Sequence, residues 1–145
     1  MIVIRPLTKT ETEENIDKIM EIAADIDGEY WEKKNFLMPL PDKWVLSLAA
    51  WNIHLPIGYA IVSRKGEAVA HLHHLMVRYE YRSQGLGTKL LKQAETRAQA
   101  LGISELTLKV IVNNNRAQRF YERLGFIQIE TEGDYQLWRK RIASQ

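Results

Sequence analysis

Arg82-Ser83-Gln84-Gly85-Leu86-Gly87, with Thr88 directly after it, is the stretch whose residue types best suit holding an anion. Two glycines let backbone N–H groups approach a charged oxygen closely, and Arg82, Ser83 and Thr88 add side-chain donors. An apolar periodicity opens at Leu86, so the loop also marks a helix start, where unpaired N–H groups and the helix dipole both favour negative charge. Alone the pattern is weak, because glycines that simply open a tight helix look the same. Spacing narrows it. A dinucleotide fingerprint needs a third glycine where Leu90 stands and an acid about 20 residues on, where Thr107 and Lys109 stand. A Walker loop needs glycine where Arg82 stands and lysine where Thr88 stands. Neither pattern is met.

Ala70-His71-Leu72-His73-His74-Leu75 is the second chemical cluster. In a strand, alternation puts His71 and His73 on one face and Leu72 with His74 on the other, up to any bulge before Val77. Two readings compete: a metal pair, or hydrogen-bonded structural histidines in a half-buried strand. A metal site needs further ligands, and His54 is the only other histidine. Tyr121 is the third candidate, although its spacing with Phe120 and Leu124 also fits a buried helix face. The chain has no cysteine, which excludes thiolate metal sites, disulfides and a cysteine nucleophile. It also lacks a Gly-x-Ser-x-Gly elbow, so covalent acyl transfer has no evident nucleophile.

The elements that must carry these residues follow from periodicity. The 145 residues, 46% of them hydrophobic, suit one domain over residues 1–145. Ile2 to Arg5 is a strand stopped by Pro6. Thr10 with Glu13 makes a capping box, and Ile16, Ile19, Met20, Ala23 and Ile26 then trace one amphipathic helix to Gly28. Residues 29–40 are aromatic and proline-broken. Strands are expected from Trp44 to Trp51, Ile57 to Ser63 and Ala68 to Val77, joined as antiparallel hairpins. A long helix runs from Leu86 to Leu101 and ends at Gly102. Leu106 to Val112 alternates as a strand, and the strand–helix–strand crossover makes it parallel to the Ala68–Val77 strand. Asn113 and Asn114 cap a further helix ending at Gly125, and a hairpin turning at Glu132-Gly133-Asp134 closes the chain. The expected fold class is α/β (α+β), with a mixed, mostly antiparallel sheet and flanking helices.

A net charge of +2 and the short Arg139-Lys140-Arg141 cluster argue against a nucleic-acid partner. No run approaches the roughly 18 apolar residues of a membrane span, and Met1 to Pro6 lacks the order of a signal peptide. A cytoplasmic location with no membrane partner is the expectation.

Arg82 to Gly87 resembles the acyl-coenzyme-A loop of the GNAT superfamily of N-acetyltransferases, whose pattern is Arg or Gln, two variable residues, Gly, one variable residue, and Gly or Ala. Leu75-Met76-Val77 before it, and Asn114 through Tyr121 to Gly125-Phe126 after it, are similar to the flanking motifs of the same family in order and spacing. The resemblance implies a fold in which two parallel strands splay around the cofactor. It implies that Leu75, Met76 and Val77 bind pantetheine through their backbone. Gln84, Gly85, Leu86, Gly87 and Thr88 would offer N–H groups to the pyrophosphate, and Asn114 would bond near pantetheine. Tyr121 matches the tyrosine that returns a proton to the coenzyme A thiolate. Ala70 to His73 further resembles the serotonin N-acetyltransferases, which implies that His71 and His73 move the amine proton. No metal is implied. The expected reaction is acetyl transfer from acetyl-CoA to a small-molecule or peptide amine, with a non-catalytic acyl-CoA-binding module as the alternative. The acceptor pocket is expected around Glu29, Tyr30, Trp31, Glu32, Phe36, Asp134 and Trp138, and family habit suggests a homodimer.

Overall fold

The computed structural model describes residues 1–24 and 31–142. Its seven-stranded sheet has the order β1-β2-β3-β4-β5-β7-β6, from β1 (Ile2–Pro6), β2 (Leu48–Asn52), β3 (Leu55–Arg64), β4 (Val69–Val77), β5 (Glu105–Ile111), β6 (Ile127–Glu132) and β7 (Tyr135–Arg141). Among the described residues only β4 and β5 pair in parallel; the other neighbouring pairs are antiparallel. This is the mixed sheet that the crossover pattern demands.

The helix α5 (Leu86–Ala100) packs Leu90, Leu91, Ala94 and Ala98 onto one sheet face, against Ala60, Leu72, Leu106 and Leu108. Its apolar positions recur three and four residues apart, which places them on one stripe. On the opposite face, α1 (Lys9–Glu14) and α2 (Ile16–Ala23) lie near α3 (Lys33–Leu37), and Ile19, Ile22 and Phe36 cover Trp51, Tyr59 and Met76.

Three local readings of the sequence are corrected here. The first helix is two helices, because Asn15 ends α1 and opens α2: its side-chain amide and its backbone N–H both donate to the Glu11 carbonyl. The cap is also two residues earlier than the Thr10–Glu13 box. Thr8 Oγ1 accepts from the Glu11 N–H at 3.0 Å. The expected strand at Trp44 begins instead with a helical turn, α4 (Lys43–Leu46), and β2 starts only at Leu48. Lys43 is the cause: it is 1% exposed, and its ammonium donates to the carbonyls of Asn35, Phe36 and Met38 at 3.2, 2.6 and 2.8 Å. Those bonds satisfy carbonyls at the end of α3 and hold the Lys43 backbone in a turn. Ile26, Gly28, Glu29 and Tyr30 lie outside the described residues.

The third correction is in β4. Ile61 faces His74 and Val62 faces Leu72, so His73 is an extra residue that the partner strand does not match. Such a bulge reverses alternation. His74 therefore lies on the face of Tyr59 and Trp31 with the other histidines, and not beside Leu72.

Candidate active site

The parallel ladder between β4 and β5 runs from Val69 opposite Glu105 to Leu72 opposite Leu108, and stops. Beyond that point β4 continues along β3 to Val77, and β5 continues along β7 to Ile111. Residues 73–77 therefore present an edge toward β5 with no strand laddered onto it. Unpaired strand edges recruit extended ligands through backbone hydrogen bonds. Arg82 Nε donates to the Val77 carbonyl at 2.9 Å, folding the following loop back onto the end of this edge.

That loop is shaped by two left-handed residues, Ser83 at φ 66° and Gly85 at φ 76°. Gly85 is the N-cap of α5, with no side chain to bond the helix start. The first intrahelical bond of the helix is donated by Lys89 to Gly85, which leaves the N–H groups of the first turn pointing outward. The local geometry is an anion site built on the positive end of a 15-residue helix.

Strand edge and helix start open on one cavity of about 550 Å³. Leu75, Met76 and Val77 form one wall, and Arg82, Ser83, Gly85, Leu86, Gly87 and Thr88 form the floor. The opposite wall is α6 (Asn115–Arg123) with its N-cap Asn114, whose side-chain oxygen accepts from the Ala117 N–H at 3.0 Å. Tyr121 reaches this cavity, its ring edge-on to Phe120 and Phe126. Spacing put Tyr121 on a buried face, yet no residue of α6 is fully buried. The helix sits over the split in the sheet and not over a closed core.

His73 and His74 line the cavity, whereas His71 and Gln84 do not. His71 Nδ1 lies 2.7 Å from Thr107 Oγ1, His73 Nε2 lies 2.7 Å from Ser63 Oγ, and the two rings meet edge to face at 4.8 Å. Burial, then the neighbouring His73, Lys65 and Lys109, lowers the His71 pKa from 6.5 to about 3. Burial, then Lys43 and Lys65, lowers that of His73 to about 4. Both rings are neutral at physiological pH. His74 Nδ1 lies 2.7 Å from the Tyr59 hydroxyl, and its ring stacks on Trp31 at 4.8 Å.

The expected acceptor residues divide. Trp31 covers His74 at the cavity, and Phe36 packs edge-on to Tyr59 behind it. Trp138 is 4% exposed in the core under α5 and does not line this cavity, because it pairs with Leu108 on that face. Glu32 caps α3, and Asp134 lies in the β6–β7 turn outside the cavity lining. Glu29 and Tyr30 fall outside the described residues. The sequence reading missed His74, which the bulge redirects, and Lys109, Arg116, Phe120 and Arg123, which also line the cavity. For the last three the signal was present, since 116, 120 and 123 share a helix face. Among the described residues, no group of three His, Cys, Asp or Glu side chains is arranged to hold a metal ion, and no helix is long and apolar enough to cross a membrane.

The sequence profile of the acetyltransferase (GNAT) family matches residues 12–126. The chain belongs to this family. Acetyl-CoA is its acyl donor, and the fold, with one parallel strand pair splayed at the cofactor loop, is the family's. A ribosomal protein bS18-alanine N-acetyltransferase of Haemophilus ducreyi is 30% identical over 129 residues, covering 89% of this chain and 88% of that protein. An uncharacterized N-acetyltransferase of Methanocaldococcus jannaschii is 26% identical over 151 residues, covering 96% of this chain and 66% of that protein. The crystal structure of the PaiA N-acetyltransferase of Thermoplasma acidophilum in complex with coenzyme A has the same fold, with a TM-score of 0.79 at 24% identity over 97% of this chain and 99% of that one. These N-acetyltransferase likenesses favour turnover, and nothing favours the binding-only alternative.

Proposed function

We propose that this acetyltransferase passes the acetyl group directly from acetyl-CoA to a primary amine within one ternary complex. The observation that carries the reading is the split between β4 and β5 opening onto the same cavity as the α5 helix start. Pantetheine lies along residues 75–77 as an added strand, the pyrophosphate takes the N–H groups that follow Gly85, and Asn114 flanks the arm. A backbone N–H of the β4 edge then polarises the thioester carbonyl. The amine nitrogen bonds to the acetyl carbon, the carbon–sulfur bond breaks, the nitrogen loses a proton to water, and Tyr121 gives one to the departing thiolate and regains it from water.

The histidines take a different part from the one their sequence suggests. An alkylammonium has a pKa near 10, so a base at about 3 or 4 is far too weak to deprotonate it. We assign His73 the role of a neutral hydrogen-bonding group that orients the incoming amine, with His71 packed behind it. The acceptor is a small-molecule amine or a peptide amine; the bS18-alanine specificity of the Haemophilus ducreyi relative supports the peptide class. A homodimer acting in the cytoplasm completes the reading, and sedimentation velocity tests the dimer.

Thiol release from acetyl-CoA against a panel of small amines and short peptides tests the function. Tyr121→Phe is the decisive variant. It should lose turnover at every pH while acetyl-CoA binding changes by less than about threefold, because the acid acts after attack. Undiminished turnover in Tyr121→Phe would remove Tyr121 from the mechanism.

A further inference from the structure

The cavity carries more positive charge than its helix-start loop accounts for. Arg82, Lys109, Arg116 and Arg123 line it, and no aspartate or glutamate does among the described residues. Arg82 is already engaged: its Nε bonds the Val77 carbonyl and its guanidinium lies over the Tyr79 ring. Arg116 and Arg123 are different. Both are exposed, and neither makes a hydrogen bond or ion pair with a described residue.

Their placement is set by α6. Residues 116, 120 and 123 are four and three apart, so they share one helix face, with Phe120 between the two arginines. Phe120 in turn rests on the first turn of α5: a Cβ added at Gly87 would meet Phe120 Cζ at 3.5 Å. The helix face that carries both arginines therefore borders the anion site through Phe120. A pyrophosphate seated on the α5 N–H groups is satisfied by the loop, and among the described residues the two α6 arginines remain unpaired; Lys109, the other unpaired cation of the lining, lies on β5 near enough to His71 to lower its pKa. Coenzyme A carries one further anion near its pyrophosphate, the phosphate on the 3′ position of its adenosine ribose. Guanidinium is the side chain best matched to a phosphate, since it can offer two parallel N–H donors.

We propose that Arg116 and Arg123 bind the 3′-phosphate of acetyl-CoA, making this enzyme discriminate against donors that lack it. The proposal rests on acetyl-CoA as donor and adds the two residues that read its nucleotide end. The arginines contact a part of the donor remote from the reacting carbon, so they act on donor affinity and not on the chemical step.

The test compares acetyl-CoA with acetyl-dephospho-CoA in the full chain and in Arg116→Ala, Arg123→Ala and the double variant, using thiol release with one fixed amine. Wild type should favour the 3′-phosphorylated donor in kcat/KM by about tenfold or more, a factor suited to charge-assisted bonds at an exposed site. The double variant should reduce that preference to about twofold or less, by raising KM for acetyl-CoA while the dephospho donor changes little. High salt should shrink the wild-type preference in the same direction. Equal losses with both donors in the double variant would overturn the proposal and place the arginines on the pyrophosphate. Equal use of both donors by wild type would overturn it outright. Failure of wild type to use either donor would instead count against acetyl-CoA itself, so the two failures are distinguishable. Inhibition by adenosine 3′,5′-bisphosphate relative to adenosine 5′-diphosphate supplies a readout independent of turnover: wild type should prefer the former, and the double variant should not.

Discussion

Acidification should destabilise this protein through two histidines. Folded, His71 and His73 hold off protonation until about pH 3 and pH 4, chiefly because burial disfavours their charged forms. Unfolded, each titrates near 6.5. Between those values the unfolded chain binds protons that the folded chain refuses, so stability falls as pH drops below about 6.5 and the loss levels off only below the folded pKa values. From pH 7 to pH 5, each unfolded histidine gains about 1.9 kcal/mol of protonation free energy and the folded partners gain almost none. The pair would sum to just under about 4 kcal/mol; solvent screening of the partly exposed rings brings this to about 2–3 kcal/mol. Against a domain stability of about 5–15 kcal/mol, such a loss is large. Urea unfolding at both pH values in wild type and in His71→Asn/His73→Gln is the assay. Asn keeps an amide facing Thr107 where Nδ1 was, and Gln keeps one facing Ser63 where Nε2 was. Carboxylates contribute acid sensitivity equally to both proteins and cancel in the difference. The double variant should lose about 2–3 kcal/mol less than wild type over this interval. An equal loss in both proteins would refute the buried, neutral state of the two rings.

The same neutrality fixes the pH–rate profile: kcat/KM should rise between about pH 6 and pH 9 with the free-amine fraction and show no inflection belonging to His71 or His73, whereas an inflection near 6.5 that vanishes in His73→Gln would restore a basic role. Gly85→Ala should cost about 1–2 kcal/mol in thermal or urea unfolding, because its φ of 76° strains any L side chain although nothing lies within 4 Å of the new Cβ. Gly87→Ala meets Phe120 only at ordinary contact distance, so its stability should stay within about 0.5 kcal/mol while acetyl-CoA affinity by calorimetry falls about tenfold or more. Lys43→Met should destabilise by about 3 kcal/mol in urea unfolding, since it strips donors from three carbonyls at the end of α3.

The loop and its helix were legible because their signals are local. Glycine spacing, the apolar stripe from Leu86 and the stop at Gly102 each act within a few residues, and the crossover rule then forces the parallel pairing of β4 with β5. Three features depend on what packs against what. The Thr8 cap competes with Thr10 and Thr12 in a threonine-rich stretch, and Thr12 wins burial by bonding the Thr8 carbonyl. The turn at Lys43 exists because an ammonium found three carbonyls on a neighbouring segment, which no periodicity announces. The bulge at His73 depends on register with β3, and it carries His74 to the cavity side. Trp138 shows the same limit: an aromatic residue near a hairpin reads as pocket lining, but pairing with Leu108 turns it into the core. Tyr121 shows the converse, a residue whose spacing says core and whose position over the strand split leaves it open to the cavity.

Initial-rate kinetics with acetyl-CoA and an accepted amine varied together, followed by intact mass of the protein, test direct transfer most closely. Double-reciprocal lines should intersect, and the protein mass should be unchanged after incubation with acetyl-CoA alone, while the amine product carries the acetyl group. Parallel lines together with an acetylated protein that passes its acetyl group to amine would contradict the ternary complex.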